Sequence, residues 1–543
     1  MSRNLLLGIG LLLVLVVGIG IGIGISSIFS HKPSTVITTT TTTTTTTPSI
    51  TTTSASRSNY TIKLYTIDGF PVCVFYFPNN VPKNVTQSAS WTLYDNSQSR
   101  DAYIPGSLNT SWIYQQMIPA FPFGNITGWE SISKEYGAKY IGGYVQTMGD
   151  SVPPSYANGI VYVAANNYML FAINAMTGKT VFIAIIPDVI MTNPLVYKGM
   201  VYITLGGAMF DYSQGGLNAY GGGHRGKDTG LNGVMALNAT DGKPIWFFIT
   251  RSQAMPTPVI LNGTLYFDDG DGYLYALNAT TGKLLWKVGP FGSANMASLD
   301  YVDTNHGDIV VAGFSQTYPV NVSQIVGVYT NGTIAWITKL SFTYDSGPGD
   351  AVMAVYKGYV IDGFISGYPI KNGSLFDYQD IKVRSIILVI NGTNGDILWI
   401  KNVSGYVYPR EGNNGIIPTV VNGIIYTDVG KAGKVVAINL TNGNIIWETK
   451  LYGSGSGNPT YVDGYLLIPA SYYIEVVNAS TGKLINLYPI GQNIGKNSPI
   501  VVGDTVIVDG DFGYVEAIPL YYVIHNTTSI FQIYNSDFNQ AIP

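Results

Sequence analysis

One string constrains this chain more than any other feature: YLYALNATTGKLLW, residues 273–286. Near-copies run as AINAMTGKTVF from Ala172, ALNATDGKPIW from Ala236, VINGTNGDILW from Val389, AINLTNGNIIW from Ala437 and VVNASTGKLIN from Val476, and the shorter VYTNGTIAW ends at Trp336. A second element precedes each unit: NGIVYVA at Asn158, KGMVYIT at Lys198, NGTLYFDDG at Asn262, GDIVVAG at Gly307, KGYVIDG at Lys357, NGIIYTD at Asn422, DGYLLIP at Asp463 and GDTVIVDG at Gly503. Self-similarity with a period of a few tens of residues signals a repeat architecture. Within each unit apolar and polar residues alternate, and Gly-bearing turns separate the runs. That pattern builds short antiparallel strands joined by tight hairpins.

About four strands per unit make one blade of a β-propeller. The upstream elements predict an all-β, eight-bladed ring. The terminal tryptophans (Trp246, Trp286, Trp336, Trp399, Trp447) need a burial site, and the gap between neighbouring blades provides one. The last unit lacks such an outer strand. Residues 60–77, or part of the segment after them, are expected to complete it, closing the ring with strands from both ends.

Residues 5–25 carry no charge and are long enough to span a bilayer as a helix. A cleaved signal peptide is the rival reading, because the stretch is Gly-rich and is followed by two serines. Either places the rest of the chain outside, with Arg3 left on the cytoplasmic side. The Thr-rich run that follows cannot form a core and reads as an extended or glycosylated stalk, which has more purpose beside a retained anchor. The expected organisation is a membrane or signal segment (1–30), a stalk (31–58), an extension packing on or closing the propeller (59–150), and the propeller (151–543) with insertions near 207–231 and 366–384. The expected location is the outer face of the membrane or the exterior. Many N-x-[ST] triplets, Asn109, Asn262, Asn278, Asn391, Asn439 and Asn478 among them, agree with a glycosylated exterior protein.

The single cysteine, Cys73, lies in an apolar run and reads as a core thiol. Charged residues make up 11% of the chain, against about 25% in ordinary proteins. Asn, Ser, Thr and 40 tyrosines do the polar work instead. Such groups do not titrate in acid, so the chain escapes much of acid unfolding, and an acidic exterior is expected. With a net charge of −4 and no basic stripe, nucleic acid is not an expected partner.

The blade string resembles the PQQ-type repeat, A-x-[DN]-x-x-T-G-x-x-x-W, over roughly residues 150–520. A quinoprotein dehydrogenase of this repeat type would bring adjacent cysteines and a Glu/Asn/Asp calcium set, and one cysteine with few glutamates (Glu411, Glu448, Glu475, Glu516) does not supply them. The segments GKDTGLNGVMALNATDGKPIW (226–246), AMPTPVILNGTLYFDDGDGYLYALNATTGKLLW (254–286) and YDSGPGDAVMAVYKGYVIDG (344–363) are similar to the tetrathionate hydrolases of acidophilic sulfur oxidisers, archaea among them. That resemblance implies a secreted eight-bladed propeller without cofactor or metal. It also implies an anionic sulfur substrate, insertion loops that cover the cavity, a homodimer, and sulfur, thiosulfate and sulfate as products.

Chemistry is expected at the channel mouth, where the innermost strands begin. Counting back eight residues from the hairpin glycine reaches Met191, Met255 and, in GPGD, Asp350. Asp350 thus stands where other blades carry a neutral residue. The glycines flanking Pro348 are expected to leave room for a ligand. Asp350 is the first choice for a general acid, with Asp345 and Asp362 as alternates and a turn-capping role as the plainer reading. The acids in FDDGDG (267–272) read as a hairpin turn. A dianion calls for cations or amide donors. His224, Arg225 and Lys227 on a Gly-rich insertion, with Arg410 and Lys496 in later loops, are the substrate-binding candidates, each also readable as a solvated loop charge. The competing class is a non-catalytic surface binding or assembly module.

Overall fold

Each repeat folds as an antiparallel sheet, and the eight sheets form a ring in a computed structural model. The structure describes residues 52–530 apart from 58–59, 84–89, 116–152, 166–168, 187–189, 191, 207–231, 253, 293–296, 317–321, 341–346, 370–380, 405–415, 454, 456, 495–496 and 511–512. Contacts divide the chain into residues 1–47 and 48–543, and every described residue belongs to the second unit. Among the described residues no helix is long and apolar enough to cross a membrane, and residues 5–25 lie outside them.

The innermost strands of blades 1 to 8 are Ser155–Ala157, Leu195–Tyr197, Val259–Leu261, Asp300–Val302, Ala354–Tyr356, Pro418–Val421, Thr460–Val462 and Ile500–Val502. A two-residue hairpin leads to the second strand in most blades. Asn262 and Gly263, for example, both have positive φ (51° and 81°), as a twist-matched hairpin requires. The turn before each outer strand is built by the repeat's asparagine: Asn278 Oδ1 accepts the amides of Thr280 and Thr281 at 3.1 and 3.0 Å. Asn238, Asn391, Asn439 and Asn478 do the same in their blades.

The tryptophans dock each blade on the next, as the repeat predicts. Trp246, Trp286, Trp336, Trp399 and Trp447 donate their indole N–H to backbone carbonyls of the following blade, at 2.8–3.1 Å. Phe182 fills that place in blade 1, against Gly242. Blade 7 carries Asn486 there, and its amide bonds the carbonyls of Val523 and Asn526 at the end of a C-terminal helix, Leu520–His525.

Both chain ends close the ring, and they divide the work. Strand Phe70–Tyr76 does not enter blade 8. It pairs with the outer strand of blade 1, Thr180–Ile185, and Tyr60–Ile67 and Thr52–Arg57 add beyond it to make a seven-stranded sheet. The outer strand of blade 8 is Trp112–Gln115, paired with Tyr514–Pro519. Trp112 bonds the Ala175 carbonyl at 2.8 Å, so it is the missing docking tryptophan. Cys73 is fully buried between these strands, and burial pushes its thiol up to about 12.

Residues 91–104 thread the axial channel. Trp91 pairs with Val196 of blade 2, and Thr92 accepts the Ile260 amide of blade 3. Gln98 reaches Tyr301 and Val355 of blades 4 and 5, Ser99 accepts from Val420, and Asp101 accepts from Tyr461. Ala102 and Ile104 accept from Val501 and Gly503 of blade 8. The segment therefore satisfies the inward edges of seven blades in sequence order, where an unpaired strand edge would leave N–H groups open.

Candidate active site at the channel mouth

Register defines the mouth. The first residue of each innermost strand, or in blade 6 the second, pairs with a residue of the second strand: Ser155 with Tyr162, Leu195 with Tyr202, Val259 with Tyr266, Asp300 with Val311, Ala354 with Ile361, Thr419 with Tyr426, Thr460 with Leu467, Ile500 with Ile507. Two residues further along the second strands lies one ring: Ala164, Thr204, Asp268, Gly313, Gly363, Asp428, Pro469, Asp509. Small residues hold five positions and aspartates three. The glycines are there because backbone crosses them. A Cβ on Gly313 would lie 2.0 Å from the Pro348 carbonyl oxygen, and one on Gly363 would lie 2.5 Å from that of Ile416. At Thr204 the hydroxyl faces the carbonyls of Met255 and Pro256, at 3.4 and 3.2 Å, in the segment entering blade 3.

Asp268 and Asp428 are buried with neither carboxyl oxygen accepting a hydrogen bond. Burial holds both well above the ordinary carboxyl range, and the facing Glu475 of blade 7 adds to this at Asp428. Glu475 accepts the amides of Tyr452 and Gly453 at 2.8 Å each, and burial raises it too. Asp509 accepts the Asn497 amide at 2.9 Å. Reading FDDGDG as a hairpin turn is right for Asp269 and Asp271, whose carboxyls take the amides of Asp271 and Tyr273. It is wrong for Asp268, which ends the strand Thr264–Asp268 and belongs to the mouth ring. Counting five residues past the hairpin glycines Gly159, Gly199, Gly263, Gly358, Gly423 and Gly464 reaches this ring, and that count would have found Asp268 and Asp428.

Asp350 ends a short 3-10 turn, Gly347–Asp350, four residues before the innermost strand of blade 5. Its backbone is described and its side chain is not. The space beside Pro348 is filled by the protein itself: Pro348 and Gly349 are buried, and the Gly349 amide donates to Ser315 Oγ at 3.0 Å. Asp362 is fully buried in the second strand of the same blade, and burial pushes its carboxyl up to about 7. It is placed as an internal acid rather than on an open surface. Asp345, His224, Arg225, Lys227, Arg410 and Lys496 lie outside the described residues. The insertion expected at 366–384 starts as a continued hairpin, with Tyr359–Pro369 paired to Ile381–Asn391 through Pro369 and Ile381. Arg100, absent from the expected set, is a fully buried cation in the channel.

The PQQ-type fold raises the question of a quinone and its calcium. Among the described residues no three His, Cys, Asp or Glu side chains converge as a metal site, and the one thiol is sealed in blade 1. The described residues do not fit that pair.

An eight-bladed ring of these repeats is the class of protein that the fold and mouth define. A family model described as outer membrane protein assembly factor BamB matches residues 209–367 and 383–518. A quinohemoprotein alcohol dehydrogenase of Pseudomonas putida HK5 is similar in fold, with a TM-score of 0.50, 12% identity, and coverage of 79% of this chain and 80% of that one. Within the class two relatives are much nearer in sequence. A tetrathionate hydrolase of Acidithiobacillus ferrooxidans is 30% identical over 83% of this chain and 90% of its own length. One from Acidianus ambivalens is 31% identical over 69% of this chain and 72% of its own. The chain belongs to the PQQ-type propellers and, among them, to the tetrathionate hydrolase family.

Proposed function

We propose that this chain hydrolyses tetrathionate in an acidic exterior, with a protonated aspartate at the mouth as general acid. The observation that carries this reading is the likeness to two tetrathionate hydrolases across 90% and 72% of their lengths. Asp268 and Asp428 of the mouth ring, which burial holds well above the ordinary carboxyl range, agree with it.

Cleavage moves an electron pair onto the departing sulfur. Water attacks a terminal sulfonate sulfur, and the S–S bond to it breaks. A carboxylic acid delivers its proton to the leaving sulfur, and the carboxylate takes one back from the attacking water. The products are hydrogensulfate and a protonated trisulfur monosulfonate, so atoms and the two negative charges balance. Asp350 is the first candidate for the acid because it enters the mouth on the segment that leads to blade 5, with Asp345 and Asp362 as alternates. His224, Arg225, Lys227, Arg410 and Lys496 are proposed to hold the sulfonate ends. The apolar run 5–25 and the sequons support a location outside the cytoplasmic membrane. Association as a homodimer rests on the family alone.

The test is tetrathionate consumption by the purified full chain from pH 2 to 8, beside Asp350→Asn and Asp362→Asn. Turnover confined to acid and lost in Asp350→Asn supports the reading. Turnover that survives Asp350→Asn but not Asp362→Asn moves the acid to the buried site. A folded chain with no turnover at any pH leaves a binding module, the other reading open to a PQQ-type propeller. Protease digestion of intact cells tests the location.

A further inference from the structure

Arg100 is a charged side chain that the proposed chemistry leaves unused, and it is enclosed completely. Its guanidinium makes a fork to four backbone carbonyls, that of Ser97 among them at 3.4 Å from Nη1. Nε donates to Met353 at 2.6 Å, Nη2 to Leu299 at 2.9 Å and Nη1 to Tyr94 at 2.8 Å. Nη2 also lies 3.2 Å from Asp300 Oδ2, in an ion-pair contact. Two of these carbonyls occupy equivalent places. Leu299 immediately precedes the innermost strand of blade 4, and Met353 immediately precedes that of blade 5. The carbonyls of Tyr94 and Ser97 belong to the axial segment itself. Arg100 therefore ties the entry corners of two neighbouring blades to the channel filling.

Asp350 is three residues before Met353, and the intervening Ala351 and Val352 are buried, as is Met353. On the other side Gly349 is tied to Ser315, and the Pro348 carbonyl rests on Gly313. The segment 348–353 is held at both ends, one end by blade 4 and the other by Arg100. Misplacing a reacting group by about 1 Å can cost roughly 100-fold in rate. We propose that Arg100 is a positioning residue of the mouth, whose fork sets the spacing of blades 4 and 5 at their entry and so the placement of Asp350. This rests on the reading that Asp350 acts there. A lysine cannot replace it: an ammonium has a single nitrogen on a flexible stem, while a planar guanidinium reaches carbonyls on opposite sides at once.

The experiment compares the full chain with Arg100→Lys by amide hydrogen exchange, by melting temperature and by kcat and KM for tetrathionate. Exchange in 347–356 and 299–302 is expected to rise about tenfold or more with the other blades unchanged. kcat is expected to fall roughly 10- to 100-fold with KM within about twofold. A purely structural role would lower the melting temperature and loosen all blades alike. Wild-type exchange in 347–356, or loosening there with kcat unchanged, overturns the proposal. If Arg100→Lys does not fold, Arg100→Gln, which keeps two N–H groups without the charge, takes the same measurements. Failure of both to fold assigns Arg100 to ring closure alone and overturns the proposal as well. If the wild-type chain shows no turnover, the hydrolase reading fails by itself, and the exchange arm still decides whether Arg100 holds the segment.

Discussion

Gly282 shows how one residue of the repeat is fixed by a neighbour some thirty-five residues away. Its φ is +68°, and a Cβ there would lie 2.6 Å from the ring of Trp246, which is itself 5% exposed and cannot swing away. The T-G step of the repeat is thus one half of a contact whose other half is the tryptophan of the preceding blade. Gly464 has a similar φ of +85° with nothing within 4 Å of the same point. Gly464→Ala should then cost about 1–2 kcal/mol, the strain of a left-handed alanine. Gly282→Ala carries that strain plus overpacking, roughly 1–3 kcal/mol more. Chemical denaturation of the two variants at one pH checks this, and equal losses would remove the ring contact from the account. Asp268 is the opposite case. Beside Asp269, Asp271 and two glycines its sequence context is that of a turn, and only the strand register, five residues from Gly263, separates it from the acids that cap one.

The elements divide into those legible in the sequence and one that was not. Blades were legible because each carries its own turn residues and its own docking pair, so local pattern and long-range contact agree. The axial segment 91–104, WTLYDNSQSRDAYI, has no alternation and no repeat. Its hydrogen bonds go to innermost strands more than a hundred residues away, and its sense appears only when the ring is closed around it. Arg100 was missed for the same reason. The mouth loops that carry most expected substrate contacts have no repeat pattern either, so their register could not be counted. Truncation separates the roles. A chain begun at residue 78 lacks the strands on blade 1 but keeps the axial segment and the outer strand of blade 8. It should show native-like β content by circular dichroism and associate through the bared edge of Thr180–Ile185, seen as concentration-dependent elution. A chain begun at residue 116 loses both, and it should fail to unfold cooperatively. A monomeric, cooperative ring from that shorter chain would show that the axial segment is dispensable.

The buried carboxyls among the described residues favour a fold that loses stability as pH rises. Burial pushes Asp95, Asp101, Asp300, Asp362 and Glu516 each up to about 7, even though Arg100 pulls Asp95 and Asp300 the other way. In the unfolded chain the same groups titrate near 4. Between those values the folded state holds protons that the unfolded state has released, so unfolding free energy falls with pH. The stabilisation is fully present below about pH 4 and is lost as pH passes through 7, the reverse of ordinary acid unfolding. A three-unit gap on one isolated group corresponds to about 4 kcal/mol, and mutual coupling keeps the sum of five well below five such increments. The melting temperature should therefore drop by about 5–10 °C between pH 4 and pH 7.5. Asp362→Asn, which stays neutral throughout, should flatten that slope and raise stability at pH 7.5. A melting temperature that climbs over this range would mean that these carboxyls ionise without cost in the folded state.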